Sequence, residues 1–269
     1  MSVDTKQNQG QQECRPWLLR FRPNPSAALQ LFCFPYAGVG ASAYFSWAHE
    51  LAPSIELLAV QLPGREDRIR EKPFNRLSDI VPLAAQAIRP LVRGPYAFFG
   101  HSMGALIAFE VTRYLRAEAF PGPAQLFVSA RRAPPRPERL ARIHHLPEAE
   151  FLAALRRRWN GIPPAVLREP ELLQLVLPSL RADMAVIETY TYTNGERLDS
   201  PISVFGAEND KGVDRDDLQA WGELTNGFFR LRMFPGDHFF IRSQYRKVAR
   251  AVSEDFLAVL DDRQGAAPC

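Results

Sequence analysis

In this chain of 269 residues, the clearest indication of the fold is the stretch Tyr96-Ala97-Phe98-Phe99-Gly100-His101-Ser102-Met103-Gly104. It begins with an apolar run of strand length, and Met103–Arg116 follows with the apolar spacing of a helix. Buried parallel strands have continuous apolar sequences because both of their faces are covered. Gly100 and Gly104 flank Ser102 at the turn, where larger side chains would collide with neighbouring elements. The sequence therefore predicts a strand, a tight turn and a helix around this serine.

Five other segments have a similar apolar character and strand length. With the run before Ser102, the predicted strands are Leu29–Phe34, Leu57–Gln61, Ala97–Phe99, Leu126–Ser129, Ile202–Phe205 and Phe229–Phe234. Helical patterns lie between most of them, including one that Ser78 is predicted to cap and that ends at Leu91, and a last one over Val248–Leu260. Strands that alternate with helices predict an α/β fold with a mostly parallel, doubly wound central sheet.

The alternation stops between about residues 134 and 196, after a proline-rich segment. Helical patterns occur there at Glu148–Trp159, Glu171–Leu177 and Leu180–Tyr192, with a break at Asn160–Pro164. A connection of roughly 60 residues is long for a single crossover. We interpret it as a helical insertion in one domain that covers residues 15–260, although a pair of ordinary crossover helices is an alternative. Residues 1–14 and 261–269 are predicted to be disordered tails.

Composition and charge exclude several classes of protein. Hydrophobic residues make up 46% of the chain, which is enough for a real core. The net charge of +3 is too small to indicate nucleic acid binding, although an acidic partner stays possible. No stretch approaches the ~20 apolar residues of a membrane span, and the polar N-terminus lacks a secretory signal. We therefore expect a cytoplasmic protein with no nucleic-acid or membrane partner.

The cysteines indicate a reducing compartment. Their number is odd and no CxxC spacing occurs, so disulfides are not expected. Cys33 lies in an apolar run and is predicted to be a small core residue, whereas Cys14 and Cys269 lie near the ends of the chain. No cofactor or bound metal is predicted.

A serine in a strained turn of this kind is a candidate nucleophile. The turn exposes the hydroxyl of Ser102, and the N-terminus of the following helix directs N–H groups at a developing oxyanion. The alternative is a strand–helix turn without chemistry. Because a serine hydroxyl needs a base near neutral pH, a histidine is required. His238 follows the last predicted strand in a glycine-containing loop, where this type of sheet places its site, and it is predicted to be the base.

The other four histidines fit the role of a base less well. His101 adjoins the serine, so its side chain should point elsewhere and serve a structural role. His49 falls in a helical pattern. His144 and His145 lie in the insertion, where they either line a lid or face solvent.

An acid must orient the base, and in the expected chain order it lies between the serine and the histidine. Asp210 follows a predicted strand, so its loop should lie beside His238, and Asp210 is our choice. Glu208 in the same loop is the main rival. Asp237 is adjacent to His238 in sequence, and neighbouring side chains diverge. Other acids in this interval include Asp183, Asp199, Asp214, Asp216 and Asp217, of which the last three are predicted to be solvated at a helix start.

Two backbone N–H groups are needed to bind the oxyanion. One is predicted to be that of Met103, the residue after the nucleophile. The second is predicted to come from the glycine-containing loop Phe34–Ser42, whose backbone can approach a substrate closely. Ala37 is our choice. Tyr36 and Gly38 remain alternatives because the sequence does not resolve a shift of one residue. A further alternative is that the segment is a plain glycine-rich turn with no role in binding the oxyanion.

Six stretches together carry a family resemblance: Cys33–Gly38, Val60–Glu66, Phe99–Gly104, Ser129–Pro134, Leu177–Asp183 and Gly236–Phe240. They resemble the type II, or editing, thioesterases of polyketide and nonribosomal peptide synthesis, which have the α/β-hydrolase fold. The resemblance extends from Trp17 to about Leu260. One departure is Gly38-Val39-Gly40, where many members of the family have consecutive glycines.

The resemblance implies a catalytic triad of Ser102, Asp210 and His238, with the N–H groups of Ala37 and Met103 as the oxyanion hole. It implies that the insertion is a mobile lid. The implied substrate is an acyl group held as a thioester on the phosphopantetheine arm of a polyketide or nonribosomal peptide carrier protein. A thiolate leaves readily, since a thiol has a pKa of about 8.5. We expect the enzyme to act as a monomer.

Other functions remain open from the sequence. A thioesterase of this type also fits release of a finished product or trimming of fatty acyl chains from a fatty-acid carrier. A general esterase for small oxoesters is a further alternative. A non-catalytic binding protein of the same fold is the alternative from another class.

Two further features bear on the partner and the site. Between Arg131 and Glu169 the chain has nine Arg and four Glu but no Lys or Asp. We hypothesise that part of this basic surface, including Arg156, Arg157 and Arg158, docks an acidic carrier protein, and a solvated helix face is the alternative. The segment Gln61–Arg65 follows a predicted strand at the site end, and we interpret it mainly as loop architecture.

Overall fold

The computed structural model describes residues 17–159 and 168–265, which contain a seven-stranded sheet. The strands are β1 (Leu18–Leu19), β2 (Leu29–Phe34), β3 (Ile55–Val60), β4 (Tyr96–His101), β5 (Gln125–Ser129), β6 (Ile202–Ala207) and β7 (Phe229–Phe234). Their order in the sheet is β1-β3-β2-β4-β5-β6-β7. Only β1 is antiparallel to its neighbour. The prediction of an α/β fold with a mostly parallel sheet is confirmed.

Helices connect the strands and cover the sheet. The α-helices are α1 (Leu77–Ile88), α2 (Met103–Ala117), α3 (Glu148–Trp159), α4 (Pro170–Thr189), α5 (Arg215–Gln219), α6 (Phe240–Ser243) and α7 (Tyr245–Gly265). Short 3-10 helices cover Ala41–His49, Glu66–Arg68, Arg89–Leu91 and Ala220–Leu224. Among the described residues, none of the helices has both the length and the apolar character needed to cross a membrane.

The two faces of the sheet carry two separate apolar clusters. Every residue of β2, β3, β4 and β5 is buried. Phe32 and Phe98 belong to the cluster on one face, and Cys33 and Phe99 belong to the cluster on the other. Successive side chains of a strand point to opposite faces, so a strand covered on both faces must be apolar throughout. Burial also raises the pKa of the Cys33 thiol well above its ordinary value, which makes that thiol unreactive.

The predicted strands are present, with small shifts of their bounds. β3 begins at Ile55 and ends at Val60, so Gln61 starts the following loop. Buried polar residues explain why two strands extend beyond their apolar runs: Glu56 is 2% exposed and ion-paired, and Gln125 donates to Ser203. Strand β1 was not predicted, because a pair of residues is too short to show a pattern.

Three helix predictions need correction. Ser78 does not cap the first helix, since α1 begins at Leu77 and its N-cap residue, Arg76, makes no side-chain cap. The two helices predicted around Pro178 are the single helix α4, in which this exposed proline is accommodated. Helix α7 extends to Gly265, past the point where a disordered tail was predicted to begin.

The predicted insertion lies between β5 and β6 and contains α3 and α4. These helices have an apolar cluster of their own, which includes Phe151, Leu155, Leu177 and Met184. In the described part of the segment, residues 134–159 and 168–196, no strand is present. The predicted tail at residues 1–14 and the predicted break at residues 160–164 lie outside the described residues.

Candidate active site

The parallel topology brings the predicted site residues to one edge of the sheet. The loops after β2, β4, β6 and β7 all leave the carboxyl ends of neighbouring parallel strands. They carry Ala37, Ser102, Asp210 and His238 respectively. Ligands of open α/β sheets bind outside this edge. The four residues therefore lie at the same edge of the sheet although they come from distant parts of the sequence.

The backbone of Ser102 is held in an uncommon conformation. Its φ of 52° and ψ of −112° lie outside the regions that ordinary side chains prefer. Its N–H donates to the carbonyl oxygen of Ser129 at 2.8 Å, which ties the turn to the next strand. A Cβ atom at Gly104 would collide with the carbonyl oxygens of Phe34 and Pro35, and one at Gly100 would collide with the backbone of Gly104. The glycines thus permit a turn that places the serine at the N-terminus of α2.

A continuous row of hydrogen bonds joins the predicted triad. The Nε2 atom of His238 lies 3.1 Å from the Oγ of Ser102. Its Nδ1 atom lies 2.7 Å from the Oδ2 of Asp210. Both partners are largely shielded, since the side chain of His238 is 9% exposed and that of Asp210 is 1% exposed. This arrangement lets Asp210 orient the imidazole while the imidazole accepts the proton of the serine.

The other acids near His238 lie in different arrangements. Glu208, the rival of Asp210, is exposed, and the Oδ1 of Asp237 accepts the backbone N–H of Phe239 at 2.9 Å. One prediction about this region is wrong: Asp217 is not solvated. Its side chain is 1% exposed and pairs with Arg132, while Asp214 is the exposed N-cap of α5.

The two predicted oxyanion donors lie on backbone segments that touch. Met103 begins α2, and the glycine after it packs on the carbonyl oxygens of Phe34 and Pro35, just before Ala37. The N–H of Gly38 donates to the Oδ2 of Asp183 at 2.7 Å. This bond disfavours Gly38 as a donor to substrate and leaves Ala37 and Tyr36 as candidates.

The remaining histidines make other contacts, and the ring of one of them, His101, lies beside that of His238. His101 is fully buried, its Nδ1 lies 2.9 Å from the Oγ of Ser129, and its ring lies 5.5 Å from that of His238. In the insertion, the Nδ1 of His144 lies 2.6 Å from Glu188, and His145 is exposed. His49 ends a 3-10 helix at the surface.

A cavity of about 40 Å³ lies against Ser102 and His238. Five charged residues are part of its lining: Arg131, Arg132, Glu138, Arg158 and Glu188. Most of these charges are paired, since Arg132 lies 3.4 Å from Asp217 and Arg158 lies 3.8 Å from Glu188.

The same contacts change the predicted basic surface. Arg132 is buried, and the side chains of Arg131 and Arg158 are each only 15% exposed, so these three point inward instead of forming a docking face. Arg156 and Arg157 are exposed on α3. The surface available to a partner is therefore smaller than the sequence suggests.

The loop Gln61–Arg65 has the architectural role that we inferred for it. Arg65 is 5% exposed and forms an ion pair with Asp183. The Oε1 atom of Gln61 accepts the N–H of Ala41 at 2.7 Å. This bond fixes the start of the 3-10 helix Ala41–His49, which follows residues 35–40, the loop predicted to bind the oxyanion and called the oxyanion loop below. The pairing of Arg65 with Asp183 was not predicted, because the two residues are 118 positions apart.

Comparison with known proteins agrees with this geometry. The family model described as "Thioesterase domain" matches residues 29–256. The chain belongs to the thioesterase domain family. The gramicidin S biosynthesis protein GrsT of Aneurinibacillus migulanus is 45% identical over 233 residues, which cover 86% of this chain and 91% of that protein. The thioesterase PikA5 of Streptomyces venezuelae is 38% identical over 243 residues, covering 90% and 85%.

A solved structure leads to the same group. The type II thioesterase BorB of the borrelidin biosynthetic cluster is 36% identical and superposes with a TM-score of 0.81, covering 89% of this chain and 97% of BorB. Our chain is thus a type II thioesterase with the α/β-hydrolase fold. The resemblance inferred from the motifs is confirmed.

Proposed function

We propose that this type II thioesterase removes aberrant or stalled acyl groups from the phosphopantetheine arm of carrier proteins in polyketide or nonribosomal peptide biosynthesis. The observation that carries this proposal is the hydrogen-bonded row Ser102–His238–Asp210 in a chain of the thioesterase family. Such a row is the arrangement that activates a serine for acyl transfer.

In the first step, the Oγ of Ser102 attacks the thioester carbonyl while the Nε2 of His238 accepts its proton. Asp210 accepts the Nδ1–H of His238 and stabilises the imidazolium that forms. The N–H groups of Met103 and Ala37 bind the oxyanion of the tetrahedral intermediate. The C–S bond then breaks and His238 gives its proton to the leaving sulfur. The thiol of the phosphopantetheine arm departs, His238 is neutral again, and an acyl ester of Ser102 remains.

In the second step, His238 accepts a proton from water, which attacks the acyl ester. Collapse of the second tetrahedral intermediate returns the proton to the Oγ of Ser102 and releases a carboxylic acid. Since a thiol has a pKa of about 8.5, its thiolate is a good leaving group, and protonation by His238 matters less than in amide hydrolysis. The specificity of this chemistry therefore depends mainly on which acyl carrier reaches the serine.

Carrier recognition is the part of the proposal that involves the insertion. We assign the described parts of the insertion, residues 134–159 and 168–196, as a lid over the serine, because α4 contributes Met184 and Glu188 to the cavity beside Ser102. Exposed Arg156 and Arg157 on α3 offer a positive surface to an acidic carrier protein. Complementary charge mainly increases the rate of encounter.

Hydrolysis of matched substrates tests the function. Ser102→Ala should lower the hydrolysis of a propionyl-loaded carrier protein by about 10³-fold or more, since the oxyanion hole and binding alone remain. The wild type should hydrolyse the propionyl carrier with a higher kcat/KM than propionyl coenzyme A. Full activity of Ser102→Ala would overturn the mechanism, and equal kcat/KM values would overturn carrier recognition.

Charge reversal tests the docking surface. The double variant Arg156→Glu/Arg157→Glu should raise the KM for the propionyl carrier and leave hydrolysis of a propionyl N-acetylcysteamine thioester unchanged. Lys247→Glu/Arg250→Glu is the matched control, because it makes the same change of net charge at exposed positions of α7. An unchanged KM in the first variant, or an equal rise in both, would refute docking at α3.

A further inference from the structure

A buried carboxylate of the insertion contacts the loop that is predicted to bind the oxyanion. Asp183 lies on α4 and is 1% exposed. Its Oδ2 accepts the backbone N–H of Gly38 at 2.7 Å. Its two oxygens also accept from the Nη1 and Nη2 of Arg65, at 2.8 and 2.9 Å. One carboxylate therefore joins the insertion, the oxyanion loop and the loop after β3.

The guanidinium of Arg65 is itself fixed by both loops. Its Nε donates to the carbonyl oxygen of Pro63 at 3.2 Å, and its Nη1 lies 3.4 Å from that of Val39. Nearby, the Oγ of Ser179 on α4 donates to the carbonyl oxygen of Gly64. A buried ion pair stabilises a protein only when such additional hydrogen bonds satisfy its remaining groups. Here they hold the carboxylate of Asp183 in one orientation.

The hydrogen bond from Gly38 to Asp183 constrains the Ala37–Gly38 peptide, which can adopt two orientations in a turn. The N–H of Val39 approaches the carbonyl oxygen of Tyr36 at 3.4 Å, which closes a turn with Ala37 and Gly38 at its centre. The φ of Gly38 is 79°, the value that the third residue of a type II turn requires. Type I and type II turns differ by a flip of their central peptide. By binding the Gly38 N–H, Asp183 selects one of these orientations.

We propose that Asp183 is a positioning residue for the oxyanion hole, and that Arg65 holds the Asp183 carboxylate in its orientation. The inference rests on the proposed function and deepens it. The central peptide of the turn begins at Ala37, whose own N–H is the predicted second donor. That N–H lies in the peptide just before the central one, so loss of the Gly38 anchor would release the turn and let the adjacent donor shift away from the developing oxyanion. The insertion thereby does more than cover the serine, because α4 also shapes the hole.

Two double variants separate the effect of the hydrogen-bond acceptor for Gly38 from the effect of the charges on Arg65 and Asp183. In Arg65→Met/Asp183→Ala, the ion pair and the acceptor for Gly38 are both removed. In Arg65→Met/Asp183→Asn, the charges are removed but the amide oxygen still accepts the N–H. Loss of an oxyanion donor lowers kcat by about 10²–10³-fold, so a misplaced donor should lower kcat of the first variant by about 10- to 100-fold. The second variant should recover most of that loss.

The measurements are kcat and KM for a propionyl N-acetylcysteamine thioester and the inhibition constant of phenylboronic acid, which forms a tetrahedral adduct with a serine. An oxyanion-hole defect should lower kcat at constant KM and weaken the boronic acid in parallel. Glu56→Ala is the matched control, since Glu56 is a 2% exposed, ion-paired carboxylate near the opposite end of β3. It should lower the melting temperature and leave both measurements unchanged.

The outcomes separate the inference from the function on which it rests. Equal kcat values for the wild type and Arg65→Met/Asp183→Ala would overturn the inference alone. So would equal losses in the alanine and asparagine variants, because the acceptor would then be irrelevant. A wild type that cleaves no thioester would overturn the proposed function and the inference with it.

Discussion

Two hydrogen bonds orient the Asp210 carboxylate. The N–H of Gly212 donates to its Oδ1 at 2.8 Å, which leaves Oδ2 for the Nδ1 of His238 at 2.7 Å. A short loop after β6 thus sets the direction of the imidazole. Asparagine would fit the same space but would present either an N–H or a neutral oxygen to the histidine.

Asp210→Asn should therefore lower kcat by about 10³–10⁴-fold, since the imidazole would lose its orientation and the stabilisation of its charged form. Glu208→Gln is the matched control in the same loop and should retain wild-type kcat, because Glu208 is exposed. Steady-state hydrolysis of a propionyl N-acetylcysteamine thioester measures both. A larger loss in Glu208→Gln than in Asp210→Asn would reverse the assignment of the acid.

The ring of His101 lies 5.5 Å from that of His238. It is fully buried, its Nδ1 lies 2.9 Å from the Oγ of Ser129, and its Nε2 has no hydrogen-bond partner among the described residues. Burial lowers the pKa of His101 well below its ordinary value, and electrostatic repulsion from the neighbouring His238 lowers it further. His101 therefore stays neutral in the folded protein.

This lowered pKa makes stability depend on pH in one direction. Below about pH 6.5, His101 takes up a proton in the unfolded chain but not in the fold, so its contribution to stability, complete above that pH, is lost as the pH falls. We expect the unfolding free energy to decrease between pH 7 and 5, and to decrease less in His101→Asn. Urea unfolding at several pH values measures it. An equal slope in both proteins would contradict the shift.

At the level of elements, the strands could be predicted from the sequence, because a strand that is buried on both faces has a continuous apolar run. The continuity of α4 through Pro178 could not be predicted from the sequence, because a proline inside a helix usually breaks it. Here the buried neighbours of the exposed proline, Leu177, Ser179 and Leu180, keep the helix in place against the rest of the protein. Tertiary packing outweighs the local preference, and a single sequence does not display tertiary packing.

The insertion is an element with its own small apolar cluster, separate from the two clusters of the sheet. Phe151 is fully buried in it, and the guanidinium of Arg181 stacks 4.4 Å from the centre of the Phe151 ring. Phe98 is fully buried in the larger cluster on the sheet. Small clusters open more readily than large cores.

Phe151→Ala should loosen α3 locally, whereas Phe98→Ala should lower the global free energy of unfolding by about 3–5 kcal/mol. Amide hydrogen exchange should rise in residues 148–155 of the first variant while the exchange of β4 stays unchanged. Urea unfolding gives the global value for both. Equal global losses would show that the insertion and the sheet unfold as one unit.

At the scale of the whole molecule, the site depends on a topology that joins distant residues. Ser102 and His238 are 136 positions apart, and Gly38 and Asp183 are 145 apart. The hydrogen-bonded row Ser102–His238–Asp210 could be anticipated because chain order and strand ends restrict the candidates. The contact between Asp183 and Gly38 could not, because no local pattern marks which acid of a helix faces a given loop. The same holds for Arg131, Arg132 and Arg158, which the sequence does not distinguish from surface arginines.

If acyl transfer passes through Ser102, the acyl group must reside on its Oγ during turnover, and this position can be measured. The enzyme is mixed with a propionyl-loaded carrier protein, quenched in acid within milliseconds and digested for peptide mass spectrometry. We predict a propionyl group on the Ser102 hydroxyl of the wild type and no covalent propionyl group in Ser102→Ala. A propionyl group on a different residue, or undiminished turnover by Ser102→Ala, would show that the acyl group does not pass through Ser102.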